Sequence, residues 1–475
     1  MKDVTPYLIF NVLVVSVGSL LFGYHIAELN APEDIIRCRK GGTSLELDLR
    51  PCIPMSEQEF GLVTSIFSVG GLFGAVTAGS IANKYGRKRA ALFNSAGFII
   101  GPILMALATN ITTLSIGRII SGVSAGSSVV IAPLFIHNVA PPEHAGVFGA
   151  STQVIINVGI LIAQFLGLFL SSVPYWRVIL GVGGLIGLAQ LVLLPFCVES
   201  PKWLVSAGER DLARRCLAKL RGRPDIEDEI TTYSRETNHG SIHDEDPDPS
   251  QGLLDNATHN NTPQVTIYEF LTNVEYRRQL IAVVGIMIAQ QFMGINVIIM
   301  YGVSILKDII PRGAYLINVI ISLLNLFVTA IAAKMIDRVG RKTPLLVSIT
   351  GMGIFSALLG IGIVFKIQLL SGVSTLLFVS SFAIGLGPLP FMIASELVGH
   401  DAVGAAQSVG LTTNWLATFA VAYGFPTLRL VVGNGQVFFI FGILSVFFFL
   451  FVSKNIPETK GRTVDEVWGL TQHAD

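Results

Sequence analysis

The sequence predicts an all-α integral membrane protein, with twelve transmembrane helices in two pseudo-symmetric six-helix bundles. Three observations carry this. The 475 residues are 51% hydrophobic and only 13% charged, with a mean hydropathy of +0.64; a soluble chain of this length carries about a quarter charged residues. Apolar stretches of about 20 residues, each long enough to cross a bilayer as a helix, recur along nearly the whole length. A basic motif also repeats at half-chain spacing. The stretches lack the alternation of a barrel, and lipid cannot satisfy exposed backbone groups, so each is read as a helix.

Predicted helices 1 to 12 centre near residues 17, 70, 99, 125, 158, 187, 291, 325, 354, 384, 416 and 445. The run from Tyr7 is long and has no small-residue cleavage site, so it is read as helix 1 rather than as a signal peptide. Basic clusters at 84–89 (KYGRKR), 202–223 and 338–342 (RVGRK) all follow even-numbered helices. The positive-inside rule puts those loops and both termini in the cytoplasm. Cys197 and Cys216 fall near or past the cytoplasmic end of helix 6, where thiols stay reduced. Cys38 and Cys52 share the loop between helices 1 and 2 on the other side, where a bridge and two free thiols are both open.

GSIANKYGRKRA (79–90) follows helix 2 and AAKMIDRVGRKT (332–343) follows helix 8; their Gly86 and Gly340 stand 254 residues apart. ESPKWL (199–204) closes helix 6 and PETKGR (457–462) closes helix 12 at nearly the same offset. The duplication implies bundles over 1–200 and 276–455, related by a pseudo-two-fold axis along the membrane normal, with a substrate site between them. The connection, 201–275, begins with the amphipathic spacing Leu212, Cys216, Leu217, Leu220, which predicts a short cytoplasmic helix. The polar, acidic, breaker-rich tract at 238–264 reads as a disordered linker. Its sequons at Asn256 and Asn260 lie on the cytoplasmic side by this topology, away from glycosylation. Residues 456–475 form a cytoplasmic tail.

NKYGRK and DRVGRK, with GRIISGV (117–123), VGILIAQ (158–164), VESPKWL (198–204), QQFMGIN (290–296) and PETKG (457–461), resemble the sugar-porter branch of the major facilitator superfamily. The resemblance covers nearly the whole chain outside the linker. FGYHIAELNAP (22–32), the Cys38 and Cys52 pair and CIP (52–54) are similar to a narrower fungal branch named for vacuolar protein sorting. The resemblance implies the major facilitator fold and a rocker-switch carrier that moves its substrate by alternating access.

The apolar run LIAVVGIMIAQQFMGINVIIMYG (280–302) carries amides that a greasy helix does not need. A buried amide without a partner costs a few kcal/mol. Amides suit a hexose, since each offers two donors and an acceptor with no charge to desolvate. Family position implies sugar contacts at Gln290, Gln291, Asn296 and Tyr301 on helix 7, Gln153 on helix 5, Asn325 on helix 8 and Asn414 on helix 11. It implies a stacking aromatic at Phe391, where glucose facilitators usually carry Trp. For a lone amide the ordinary role is interhelical bonding, at about 0.6 kcal/mol. For adjacent glutamines plus Asn296, with Gly294 allowing close approach, a polyol pocket is the better reading.

Departures from the family pattern deplete that pocket. Ala383 replaces an acid on helix 10, Thr418 an Asn on helix 11, and Met300 the first of two tyrosines. Each lost hydrogen bond weakens binding by about 1 kcal/mol. His25 stands where proton-coupled sugar porters carry Asp. A free histidine side chain changes charge near neutrality, but burial favours a neutral ring, so the reading is a packing His in a facilitator. A proton-coupled symporter using His25 is the alternative.

In this family, cytoplasmic salt bridges hold the outward-open state. The retained gating charges are Arg87, Arg118 and Glu199 in the first half, and Arg338, Arg341, Glu396 and Glu458 in the second. Asn138, Ala145 and Val403 replace three family charges, leaving Glu396 to lean on Arg338, Arg341 or His400. Fewer bridges predict a looser outward state. No HExxH, P-loop or Ser-centred elbow appears, so no enzyme is expected. No cofactor and no nucleic-acid partner is expected either. The partners are a sugar or polyol and the bilayer, and the chain is taken as a monomer. The home is the plasma membrane or a vacuolar or other organelle membrane. A different class of reading stays open: a transport-weak sugar receptor or sorting-related membrane protein.

Overall fold

The computed structural model describes residues 4–39, 50–141, 145–238, 265–311, 313–399 and 401–469. Twelve of its helices are long and apolar enough to cross a membrane. Helices 1 to 6 are Pro6–Ala27, Glu57–Tyr85, Arg87–Ala106, Ile111–Val139, Ala145–Leu170 and Trp176–Leu193. Helix 7 comes in two pieces, Arg277–Phe292 and Ile295–Lys307. Helices 8 and 9 are Ala314–Val339 and Lys342–Val364; helix 10 is again split, Gln368–Ile384 and Leu389–Glu396. Helices 11 and 12 are Val403–Val432 and Val437–Asn455. An even number of crossings puts both ends of the chain on one side, here the terminal face; the other is the opposite face.

Local chemistry sets several helix starts. Thr5 and Asn110 accept a backbone N–H from the first turns of helices 1 and 4, and Ser56 with Glu59 forms a full capping box on helix 2. Phe73, Phe169, Leu185, Val431 and Ile443 stay exposed on the outside, as side chains that face lipid would. Inside, most of the buried polar side chains bond to one another or to backbone carbonyls.

The repeated motif has one physical job in both halves. Gly86 and Gly340 take φ of +97° and +98°, where side chains are strained. A Cβ on Gly86 would lie 2.4 Å from Glu199 Oε2, and one on Gly340 would lie 2.8 Å from Glu458 Oε2. Glu199 therefore reaches the start of helix 3 and accepts the N–H groups of Arg87 (2.8 Å) and Lys88 (2.9 Å). Glu458 does the same at helix 9, accepting from Arg341 (2.8 Å) and Lys342 (3.0 Å). Each carboxylate caps a helix N-terminus and its dipole. Gly86→Ala should lower thermal stability by about 1–3 kcal/mol, Gly340→Ala by less, and Gly79→Ala, with nothing within 4 Å, hardly at all. Melting in detergent ranks the three. Burial opposes the charged form of Glu458, yet the N–H groups of Arg341, Lys460 and Lys342 hold its carboxyl below the usual range. The stability of that cap is present above the usual carboxylate range and is lost as pH falls through the depressed value.

At the terminal face, Arg210–Arg221 forms the expected amphipathic helix. Its buried stripe is Ala213, Cys216, Leu217 and Leu220, while Leu212 is exposed. The correction is one of phase: Ala213 completes the i, i+3, i+4, i+7 face and Leu212 points away. Thr5 Oγ1 donates to Leu220 O (2.7 Å) and Arg221 Nη1 to Val139 O (2.8 Å), so this helix is bonded to the first half. The linker tract, including Asn256 and Asn260, lies almost entirely outside the described residues.

The described contacts between the halves run from mid-membrane to the opposite face. Trp415 of helix 11 packs on Gly71 and beside Phe22 (5.7 Å) and Phe67 (6.3 Å). Pro426 sits over Gly61. Asn30, just past helix 1, donates to Asn318 Oδ1 (3.3 Å) and accepts from Val303 N (3.0 Å). The molecule is closed toward the opposite face.

Candidate functional site

Two helix breaks create the polar centre. Gly294 takes φ +89° between the two pieces of helix 7, and the turn at 385–388 interrupts helix 10. Broken helices free carbonyls that lipid cannot bond, so a side chain must. Gln290 does it: its Nε2 donates to Leu386 O (2.7 Å) and Gly387 O (3.1 Å). Its Oε1 accepts from Asn414 Nδ2 (2.6 Å) and Gln291 Nε2 (3.3 Å). Gln291 Oε1 in turn accepts from Asn296 Nδ2 (2.5 Å). Gln290, Gln291, Asn296 and Asn414 are thus one network of amides from helices 7 and 11, all buried at 5–8% exposure. Gln290 is fully engaged in holding helix 10. The other three carry the remaining donor and acceptor capacity.

A second amide cluster joins the halves. Asn157 Nδ2 of helix 5 donates to Thr329 Oγ1 (2.9 Å), and Asn325 Nδ2 of helix 8 donates to Asn157 Oδ1 (3.4 Å). Gln153 is half-buried one turn from Asn157 on the same face of helix 5. Tyr301 stands apart from the amides: its hydroxyl donates to Ala422 O (2.9 Å), and its ring meets Phe425 (5.5 Å) and Phe60 (6.5 Å). In this conformation it packs helices 7, 11 and 2 together instead of presenting an OH to the amides. Phe391 lies at the start of the second piece of helix 10, partly buried against the core.

The gating charges divide differently from expectation. Arg118 is a correction: it is wholly buried near the opposite-face start of helix 4, far from the loop motifs. Motif order says nothing about depth, and Arg118 lies at the wrong end of its helix for a terminal-face gate. Its Nη1 donates to Glu28 Oε1 (3.0 Å) and His25 O (2.6 Å), and Nη2 to Thr64 O (3.2 Å). Its guanidinium also lies 4.5 Å from the Phe67 ring centre. Glu28 Oε2 is 3.0 Å from His25 Nδ1, so the carboxylate links a cation and an imidazole with no exposure of either side chain. His25 is packed, against Phe98 and Gly183, but it is also part of this charged triad.

Of the loop charges, Glu199 and Glu458 serve the backbone caps described above. Arg341 meets Glu396, with Nη2 to Oε1 at 3.0 Å, and Thr459 Oγ1 donates to Glu396 Oε2. Arg338 is exposed, and its carbonyl accepts from Lys460 Nζ (2.7 Å). His400 lies outside the described residues. Cys38 and Cys52 form a disulfide, while Cys197 and Cys216 are free and buried.

Sequence reading missed Glu28, Asn30, Asn157 and Trp415. Glu28 and Asn157 carry the clearest overlooked signal, as polar residues within or at the end of apolar helices. Trp415 follows Asn414 directly, and its buried Nε1 has no partner among the described residues.

Residues 11–468 match the family described as "Sugar (and other) transporter". A probable metabolite transport protein of Saccharomyces cerevisiae is 38% identical, over 98% of this chain and 96% of its own length. The vacuolar protein sorting-associated protein 73 of the same yeast is 34% identical, over 96% and 95%, in line with the fungal branch suggested by FGYHIAELNAP. The facilitated glucose transporter member 3 of Rattus norvegicus is 33% identical, over 98% and 92%. Among solved structures, the inward-open xylose transporter XylE from E. coli superposes with a TM-score of 0.79 at 22% identity, over 98% of this chain and 100% of that one. The same symporter bound to 6-bromo-6-deoxy-D-glucose gives 0.73 at 24%, over 98% and 99%. At such identities the likeness is one of fold, the major facilitator fold.

Proposed function

The chain belongs to the sugar transporter family of the major facilitator superfamily, and from that premise we propose that it moves a hexose or related polyol by alternating access, as facilitated diffusion. The observation that carries the reading is the amide network. Gln290 holds Gln291 and Asn414, Gln291 holds Asn296, and these three offer uncharged donors and acceptors to hydroxyls at mid-membrane. Gln153 and Asn325 extend the polar lining on helices 5 and 8, and Phe391 supplies an apolar face. Tyr301 closes the opposite side over the substrate. The terminal face is cytoplasmic, and the caps at Glu199 and Glu458, with the Arg341–Glu396 pair, stiffen that side of each half.

A second reading, proton-coupled symport, is favoured by one observation: the buried Glu28 between Arg118 and His25. In a proton-coupled cycle that carboxylate would have to be neutralised and Arg118 released. Labelled-hexose uptake into cells lacking their own hexose carriers tests the main reading. Saturable uptake above that of an empty-vector control is expected. A surface-expressed, folded protein with no uptake of any hexose or polyol would overturn it, in favour of a receptor or sorting role.

A further inference from the structure

We propose that a two-point ionic latch, Asp34 to Lys307 and Glu57 to Arg429, holds the halves shut at the opposite face, beside a strap, residues 33–39, that the Cys38–Cys52 bridge braces. The proposal is independent of which solute is carried. Asp34 lies on the short helix Glu33–Ile36 that follows helix 1, and Glu57 is the first residue of helix 2. Their partners come from the other half: Lys307 ends helix 7, and Arg429 is in the last turn of helix 11. Lys307 Nζ pairs with Asp34. Arg429 Nε is 3.6 Å from Glu57 Oε1, and its Nη1 donates to Ser304 Oγ (3.2 Å).

Each carboxylate also has a cation of its own half. Arg39 reaches Glu57 (3.1 Å) and Asp34 (3.8 Å), while Arg37 holds Glu33 (2.6 Å) and lies 3.9 Å from Glu57. When the halves part, Lys307 and Arg429 leave, but neither acid is stranded. Opening therefore costs the difference between two paired states, which makes the latch reversible. The disulfide fixes Cys38 between Arg37 and Arg39, and Ile53 N donates to Ile36 O (2.8 Å), so the strap presents both arginines from a braced position. Side-chain exposures of 14% for Glu57 and 11% for Arg429 shield that pair from salt better than a surface pair; the Asp34–Lys307 pair, at 10% and 26%, is shielded less.

The test is a distance measurement between spin labels at Leu107→Cys and Phe365→Cys, exposed positions at the opposite-face ends of helices 3 and 9, with Cys197 and Cys216 replaced by alanine. In lipid nanodiscs the otherwise native protein should show one short distance. Lys307→Gln/Arg429→Gln, which leaves the strap and its own pairs intact, should raise the long-distance, open population by about tenfold. Asp34→Asn/Glu57→Gln should do the same. An unchanged distance distribution in the folded Lys307→Gln/Arg429→Gln protein would overturn the latch. So would opening that appears only in the acid-side variant, because that points to the strap's own fold.

Discussion

Alanine at both Gln290 and Gln291 is expected to abolish saturable hexose uptake, with the transport rate at low substrate falling by at least about a hundredfold. The two positions fail for different reasons. Without the Gln290 side chain, Leu386 O and Gly387 O lose the donor that bridges the helix-10 break, and Asn414 Nδ2 loses its acceptor. Each buried group left unpaired costs about 1–3 kcal/mol. Gln290→Ala alone should therefore lower thermal stability as well as uptake. Among the described residues Gln291 bonds only to neighbouring amides, and its loss strands the Asn296 Nδ2 donor, so Gln291→Ala should lower stability less than Gln290→Ala and chiefly raise the substrate concentration for half-maximal uptake. Measuring melting temperature and uptake on both single variants separates the scaffold from the contact. Uptake that survives in the folded double variant would remove helix 7 from the substrate path. Equal stability losses in both singles would reduce the cluster to interhelical bonding.

The fold was largely legible because its determinant is one-dimensional. A run of about 20 apolar residues has few destinations other than a membrane helix, and repeated glycine-arginine-lysine triplets announce duplication whatever their role. That role was not legible. Gly86 reads as part of a basic loop, yet its φ and the carboxylate beside it show a backbone cap. The motif arginines suggested side-chain bridges, while Glu199 and Glu458 bond main-chain N–H groups, which every sequence possesses. The amides of helix 7 could be singled out because polarity is conspicuous against leucine and isoleucine. That Gln290 spans to the helix-10 break could not, because the partner atoms are carbonyls with no residue signature. Arg118 shows the same limit in another form. Helix order placed it on helix 4, but its depth and its partner Glu28 depend on how helices 1, 2 and 4 pack.

Removing the Glu28 carboxylate should be the most damaging single change in the first half. Arg118 is wholly buried, and Glu28 is its only described ionic partner. Breaking a buried pair from one side leaves an uncompensated charge and costs about 3–5 kcal/mol, so Glu28→Ala should melt far below the native protein and accumulate poorly. Glu28→Gln keeps the shape and can still accept from Arg118, so it should fold with a smaller loss. That milder variant decides the mode of transport. If the carrier is a facilitator, the triad only locks helix 1 to helices 2 and 4. Native protein and Glu28→Gln should then both equilibrate sugar, with no uphill accumulation under an imposed proton gradient. If protons are coupled, Glu28 must lose its charge during each cycle, and glutamine imitates the protonated state permanently. Native vesicles would then accumulate sugar against its gradient when the far side is acidic, and Glu28→Gln would exchange sugar without accumulating it. Facilitated diffusion is the expected result. Accumulation that the native protein shows and Glu28→Gln loses would transfer the site to proton coupling, with Glu28 as the titrating group and His25 as its neighbour.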